Sequence, residues 1–299
     1  MGTIAFHAGD LHRPALRRVA GGPRAGPPPG ERFSYSNPGY VLAGRVIEVM
    51  REMTWNDALT SRLFAPAGLG HSGSGPEEAL THSAALGHLP APNGGLQPAP
   101  IWVMFRSHAP AGATAFCGAA DLLAVATILL DSGKASTGSQ LVSSDASGGM
   151  LTPQISVPTH AYAQAHWGLV ISIEKWGEAT VVGHDGGTPT GQIAALRLLP
   201  DRQVAACVMA NSITSARFVL EALDGLLSEH ARVNRPRYRP RCCQASGQME
   251  APGRACNGAT AASSRSQSAK TARFSLLSER VRAPETTSSS GWPQTPTGM

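Results

Sequence analysis

Gly30-Glu-Arg-Phe-Ser-Tyr35-Ser-Asn37-Pro-Gly-Tyr-Val-Leu-Ala-Gly-Arg-Val-Ile-Glu48 is the stretch whose reading decides the fold. A Tyr and an Asn, two apart in a turn, lead directly into a segment of helical spacing (Tyr40, Val41, Gly44, Ile47, Glu48) that runs to about Met53. Thr54-Trp-Asn-Asp57 reads as the cap of a second helix through Phe64, closed by Leu63-Phe-Ala-Pro-Ala-Gly-Leu69. A second short site, Gly183-His184-Asp185-Gly186-Gly187, lies far downstream with a strand pattern on both sides. Taken singly, Tyr-Ser-Asn is a turn sequence and His-Asp-Gly a β-turn. Their order, their distance apart and their flanks are what give the pair meaning.

Between the two sites, residues 70–108 are dense in Gly, Pro and His and carry little periodicity, as a long functional or irregular loop would. Ala109-Pro-Ala-Gly112 leads through Asp121 into a helix from Leu122 to Leu130, which stops at Asp131-Ser-Gly133. From His166 the period changes to two. Trp167–Glu174, Ala179–His184, Ile193–Leu199 and Val204–Ala210 read as strands of an antiparallel meander, with Pro200-Asp-Arg202 as a turn. Ser215 to about His230 is an amphipathic helix whose apolar set is Phe218, Leu220, Leu223, Leu226 and Leu227. Helices, then a meander, then a helix folding back make an α+β architecture, an antiparallel sheet flanked by helices.

At 299 residues and 42% hydrophobic, the chain can build one large core or two small ones. No run of 18 apolar residues exists, so no transmembrane segment is expected. Met1-Gly-Thr-Ile-Ala-Phe-His is not a signal peptide. The net charge of +5 is uneven: residues 232–299 hold 11 Lys+Arg against 3 Asp+Glu, so the body is mildly acidic. The tail's Arg residues alternate with Pro, Ser and Ala without an aromatic stacking platform, which argues against a nucleic-acid partner and for a solvated, disordered tail. Five Cys, an odd count without C-x-x-C spacing, argue against a zinc site and a disulfide framework, and the His residues of 71–108 lack metal spacing. The expected organisation is an irregular N-terminal remnant at 1–28, a folded body at 29–231 and a basic tail at 232–299.

The two quoted sites resemble two of the three active-site motifs of the serine β-lactamase/penicillin-binding-protein superfamily, in its class C β-lactamase-related branch. The similarity runs from about Pro29 to His230. It implies a β-lactamase/transpeptidase-like fold and acyl-enzyme hydrolysis of a small-molecule or peptide substrate: a β-lactam, a D-amino-acid peptide or a small ester. It implies Tyr35 as acid/base, Asn37 as clamp on the substrate amide, and His184 in the place of the family's Lys or His. Gly186 would let substrate approach the strand, and Thr188 would stand on the oxyanion side. The chemistry uses side chains and water, so no cofactor is implied. Family members are often exported.

The third motif, a Ser-x-x-Lys ahead of Tyr35, is not found. The three lysines are Lys134, Lys175 and Lys270, and only Lys175 has a Ser three before it, Ser172. That pair lies in a strand-like segment, where positions i and i+3 point to opposite faces. The N-terminal strands and nucleophile helix of the family are therefore expected to be missing, which would leave the Val204–Ala210 strand with an open edge. Two readings follow: an incomplete serine hydrolase, or a non-catalytic binding module of the same fold.

Overall fold

Ser36 starts the first helix. Its extended backbone (φ −141°, ψ 102°) and its hydroxyl, which accepts the Gly39 N–H at 3.1 Å, cap α1, Asn37–Arg51. Pro38 in the first turn lacks an N–H that would have been orphaned there anyway. This capping begins the helix three residues before the first periodic apolar position. The computed structural model describes residues 28, 30–157 and 166–236 and the backbone of 274–280. All but the last residue of the expected irregular remnant at 1–28, and most of the expected tail, lie outside the described residues.

Gly44 brings α1 close to its neighbour. A Cβ there would lie 2.2 Å from Pro110 Cγ, so only glycine lets the helix rest on the turn Arg106–Ala111. Thr54 caps the next helical segment as expected, and the helix continues past Phe64 to Ala67, where Gly68 (φ 71°) stops it. Helix α2, Ala119–Leu130, starts three residues earlier than its periodicity indicates. Its Asp121 carboxylate accepts from His71 N–H (2.8 Å) and Ser72 Oγ (2.7 Å) and so ties the helix to the preceding loop. That loop is not featureless: His88–Pro90 pairs with Leu96–Pro98, and Ser72–Gly73 pairs with Phe116–Cys117.

The sheet has seven antiparallel strands: β1 (Ile155–Ser156), β2 (His166–Trp167), β3 (Ser172–Trp176), β4 (Ala179–Gly187), β5 (Ile193–Leu199), β6 (Val204–Ala210) and β7 (Phe274–Arg280). They lie side by side in chain order. The apolar run Trp167–Glu174, read as one strand, is instead a hairpin: Gly168 N–H donates to Ile171 O at 2.8 Å, with exposed Leu169 and Val170 at its tip. A Cβ on Gly168 would meet Met150 O at 2.1 Å, a constraint that periodicity does not register.

Alternation along β4 to β6 builds two cores. Val181, Ala195, Leu199, Ala206 and Val208 pack on Val219, Leu223 and Leu227 of α3, Ala216–Ala231. Ile173, Val182, Leu198, Ala205 and Cys207 pack on Leu123, Ala126 and Leu130 of α2. Each large aliphatic side chain buried this way contributes about 1.5–3 kcal/mol. The α+β architecture with a helix on each sheet face is as expected. The edge expected open at Val204–Ala210 is not: β7, from within the sequence read as tail, pairs along all of it.

Candidate functional site

The turn before α1 and the middle of β4 carry two residues that meet across 149 positions of sequence. Tyr35 Oη lies 3.4 Å from His184 Nε2, a long hydrogen bond between residues 149 positions apart. Their rings are 6.0 Å apart and tilted by 37°. Trp167 of β2 meets both edge-on, at 6.0 Å from Tyr35 and 5.8 Å from His184, and Phe33 packs on the indole at 5.1 Å. Such edge-to-face contacts contribute about 0.5–1.5 kcal/mol each beyond area burial. Together they hold the Tyr35 turn against the sheet.

Tyr35, Trp167 and His184 open onto a pocket of about 270 Å³, whose other walls include His166, Ser172 and Arg197. The pairing of β3 with β4 stops at Ser172 opposite Gly183, so from His184 onward β4 is paired with β5 on one edge and has left β3 behind on the other. Burial lowers the His184 pKa below its ordinary 6.5, against the opposing charge of Asp185. The imidazole is therefore neutral at pH 7, and its tautomer decides whether Nε2 accepts from the Tyr35 hydroxyl or donates to it. Burial, with Tyr35 as a second cause, raises the pKa of neighbouring Tyr40.

Beneath His184, Arg197 of β5 reaches Asp185 with two nitrogens, at 2.6 and 3.2 Å. Ser172 borders the pocket, but its hydroxyl donates to Gly183 O at 2.6 Å. Lys175, three residues on, turns outward and donates to Thr180 Oγ1 at 2.7 Å. As strand geometry requires, the chain's one Ser-x-x-Lys is split across β3 and does not form a Ser–Lys pair.

Of the residues singled out from sequence, the structure brings Tyr35 and His184 together. Asn37 is exposed as the first residue of α1 and does not line this pocket. Gly186 lies in β4 opposite Ala194, where a Cβ would meet Ala194 O at 4.0 Å, an ordinary contact. Thr188 is in the β4–β5 turn, its hydroxyl 2.5 Å from that of Thr190, and it too is apart from the pocket walls. Sequence reasoning missed Trp167, Arg197 and the Asp185 contact. Trp167 opens the period-two region, which hints at burial, but no local signal says which partners it meets. Among the described residues no group of three or more His, Cys, Asp or Glu could hold a metal, and no helix is long and apolar enough to cross a membrane.

A family model described as Beta-lactamase matches residues 3–231. Penicillin-binding protein 4 of Amycolatopsis lactamdurans is 35% identical over 212 residues, covering 70% of this chain and 55% of that protein. The chain thus spans about half the length of the curated relative it matches. Among solved structures, the octameric penicillin-binding protein homologue from Pyrococcus abyssi superposes with a TM-score of 0.59 at 22% identity, over 73% of this chain and 47% of that one. The penicillin-binding protein from Bacillus halodurans gives 0.56 at 23% identity, over 67% and 58%. SurE with D-Leu gives 0.54 at 29% identity, over 80% and 53%. The match over residues 3–231, with the antiparallel sheet between two helices and a Tyr and a His facing one pocket, shows that the chain belongs to the beta-lactamase family.

Proposed function

We propose that residues 29–231 are part of a β-lactamase-related serine hydrolase of the class C-related branch, with the acylated Ser lying in a part of the protein other than these residues. The observation that carries this reading is the contact of Tyr35 Oη with His184 Nε2 at the mouth of a pocket. A Tyr hydroxyl held by a neutral imidazole can pass a proton between an attacking hydroxyl and a leaving group. His184 and Trp167 orient that hydroxyl. Asn37 would clamp the substrate amide and Thr188 would stand on the oxyanion side, both coming into use when substrate spans beyond the pocket described. Among the described residues a Cβ at 186 would meet Ala194 O at 4.0 Å and nothing closer, which leaves room for close approach of a ligand there. Substrates are carbonyl compounds of three kinds: a β-lactam, a D-amino-acid peptide or a small ester. The D-Leu named with SurE favours the D-configured amide among them.

A second reading, a binding module without catalysis, is favoured by one observation: Ser172 and Lys175 are committed to separate partners on β3. The test is intact mass after incubation with a reactive penicillin and, separately, with a fluorophosphonate. This chain alone is expected to remain unmodified. A longer polypeptide carrying an in-frame Ser-x-x-Lys helix ahead of Tyr35 is expected to gain one adduct, and its Tyr35→Phe variant to gain it far more slowly. Absence of an adduct from the longer, folded protein would establish the binding module instead. An adduct on Ser172 of this chain would overturn both.

A further inference from the structure

We propose that the β6 edge is a strand-acceptor site and that residues 274–280 are its built-in occupant, an intramolecular strand that keeps the edge from pairing with another chain. The inference is independent of the catalytic reading. Strand β6 is apolar and packed on both faces: Ala205, Ala206, Cys207 and Val208 are fully or almost fully buried, between α2 on one side and α3 on the other. A seven-residue strand of this kind with an unpaired edge is the arrangement most prone to pair with other chains. Buried backbone N–H and C=O groups also demand partners. Strand β7 satisfies the whole edge, in unbroken antiparallel register from Val204 opposite Arg280 to Ala210 opposite Phe274.

The family match ends at residue 231, so the strand that closes the sheet comes from outside the matched region. The strand itself, Phe274-Ser-Leu-Leu-Ser-Glu-Arg280, contains neither Gly nor Pro, and Glu279 and Arg280 add charge to what becomes the new outer edge. Charges and short length are how edge strands resist further addition. The 37 residues from 237 to 273 have a contour length on the order of 100 Å, ample to reach β6 from the end of α3. Because the strand is covalently linked to the sheet, pairing in cis does not depend on protein concentration, whereas pairing with a second chain falls with dilution.

The register supplies the test, because Leu277 is the Cα partner of native Cys207. Directly opposed residues of an antiparallel pair have Cα atoms about 4.5–5.5 Å apart, within disulfide range. The full-length chain would carry Leu277→Cys with Cys117→Ala, Cys242→Ser, Cys243→Ser and Cys256→Ser. It would be refolded in a glutathione redox buffer, since burial raises the Cys207 thiol pKa to about 12. The expected product is a monomer with one 207–277 bridge by peptide mapping, while Leu276→Cys and Ser278→Cys in the same background stay unbridged. Equal bridging at all three positions would overturn the register, and covalent dimers would overturn occupancy in cis. In a second arm, the full-length Leu276→Pro/Ser278→Pro variant is expected to form concentration-dependent oligomers by light scattering. A monodisperse monomer from that variant would show that the edge needs no occupant.

Discussion

Arg197 lies across Gly183 and reaches both carboxylate oxygens of Asp185 with its terminal nitrogens. A Cβ on Gly183 would stand 2.6 Å from Arg197 Cδ, so the glycine is what leaves the guanidinium its path. Residues 183 and 185 share a sheet face and 184 the other, by the two-residue period of a strand. The same strand therefore offers His184 to the Tyr35 side while Arg197 pins it from beneath.

Asp185→Asn is expected to destabilise the protein by about 1–3 kcal/mol, because Arg197 is only 3% exposed and would keep a buried charge against a neutral partner. The cost stays below that of a wholly buried pair because Asp185 is 52% exposed. Urea unfolding followed by circular dichroism measures it. An unchanged midpoint would show that water replaces the carboxylate.

Two glycines of one motif should behave oppositely. Gly183→Ala would drive a methyl to 2.3 Å from Leu196 O and is expected to cost about 1–3 kcal/mol or more. Gly186→Ala meets only Ala194 O at 4.0 Å and is expected to stay within about 0.5 kcal/mol. Paired thermal melts decide the matter, and equal shifts would refute the steric account.

His184 makes stability depend on pH in a defined direction. Its folded pKa lies below its ordinary 6.5, so between those two values the unfolded chain binds a proton that the folded chain does not. Stability from this group is full above about pH 6.5 and declines as the pH falls toward the lowered value. Facing charges come from Asp185, which opposes the shift, and Arg197, which adds to it. The difference in unfolding free energy between wild type and His184→Gln, measured from pH 7.5 to 5, should narrow toward acid. A constant difference would mean that His184 titrates normally.

Trp167→Ala is expected to cost about 3 kcal/mol, because a nearly buried indole contacting Phe33, Tyr35 and His184 leaves a cavity when removed. Tyr35→Phe keeps the ring contacts and loses the 3.4 Å hydrogen bond to His184, so less than about 1 kcal/mol is expected. Chemical denaturation of both variants shows whether Trp167 carries more of the local stability than the Tyr35 hydroxyl. A larger loss from Tyr35→Phe would reverse that order.

The chain's local patterns were enough to reveal the helix after Tyr35, the one from Leu122, the meander and the closing helix. Capping and periodicity act within a few residues, so they are written in the sequence itself. The motif around Tyr35 and the one around His184 could be named as a pair through their resemblance to a known family, not through any local pattern. Tertiary structure alone decided that these two side chains come within 3.4 Å, and that Trp167 stands against both. It also turned Trp167–Glu174 into a hairpin, since Gly168 must clear Met150 O, a neighbour 18 positions away. The partner of β6 was hidden in the same way. Strand pairing is a contest among all segments able to reach an edge, and residues 274–280 win it from 64 or more positions away, at a distance where no local pattern carries information.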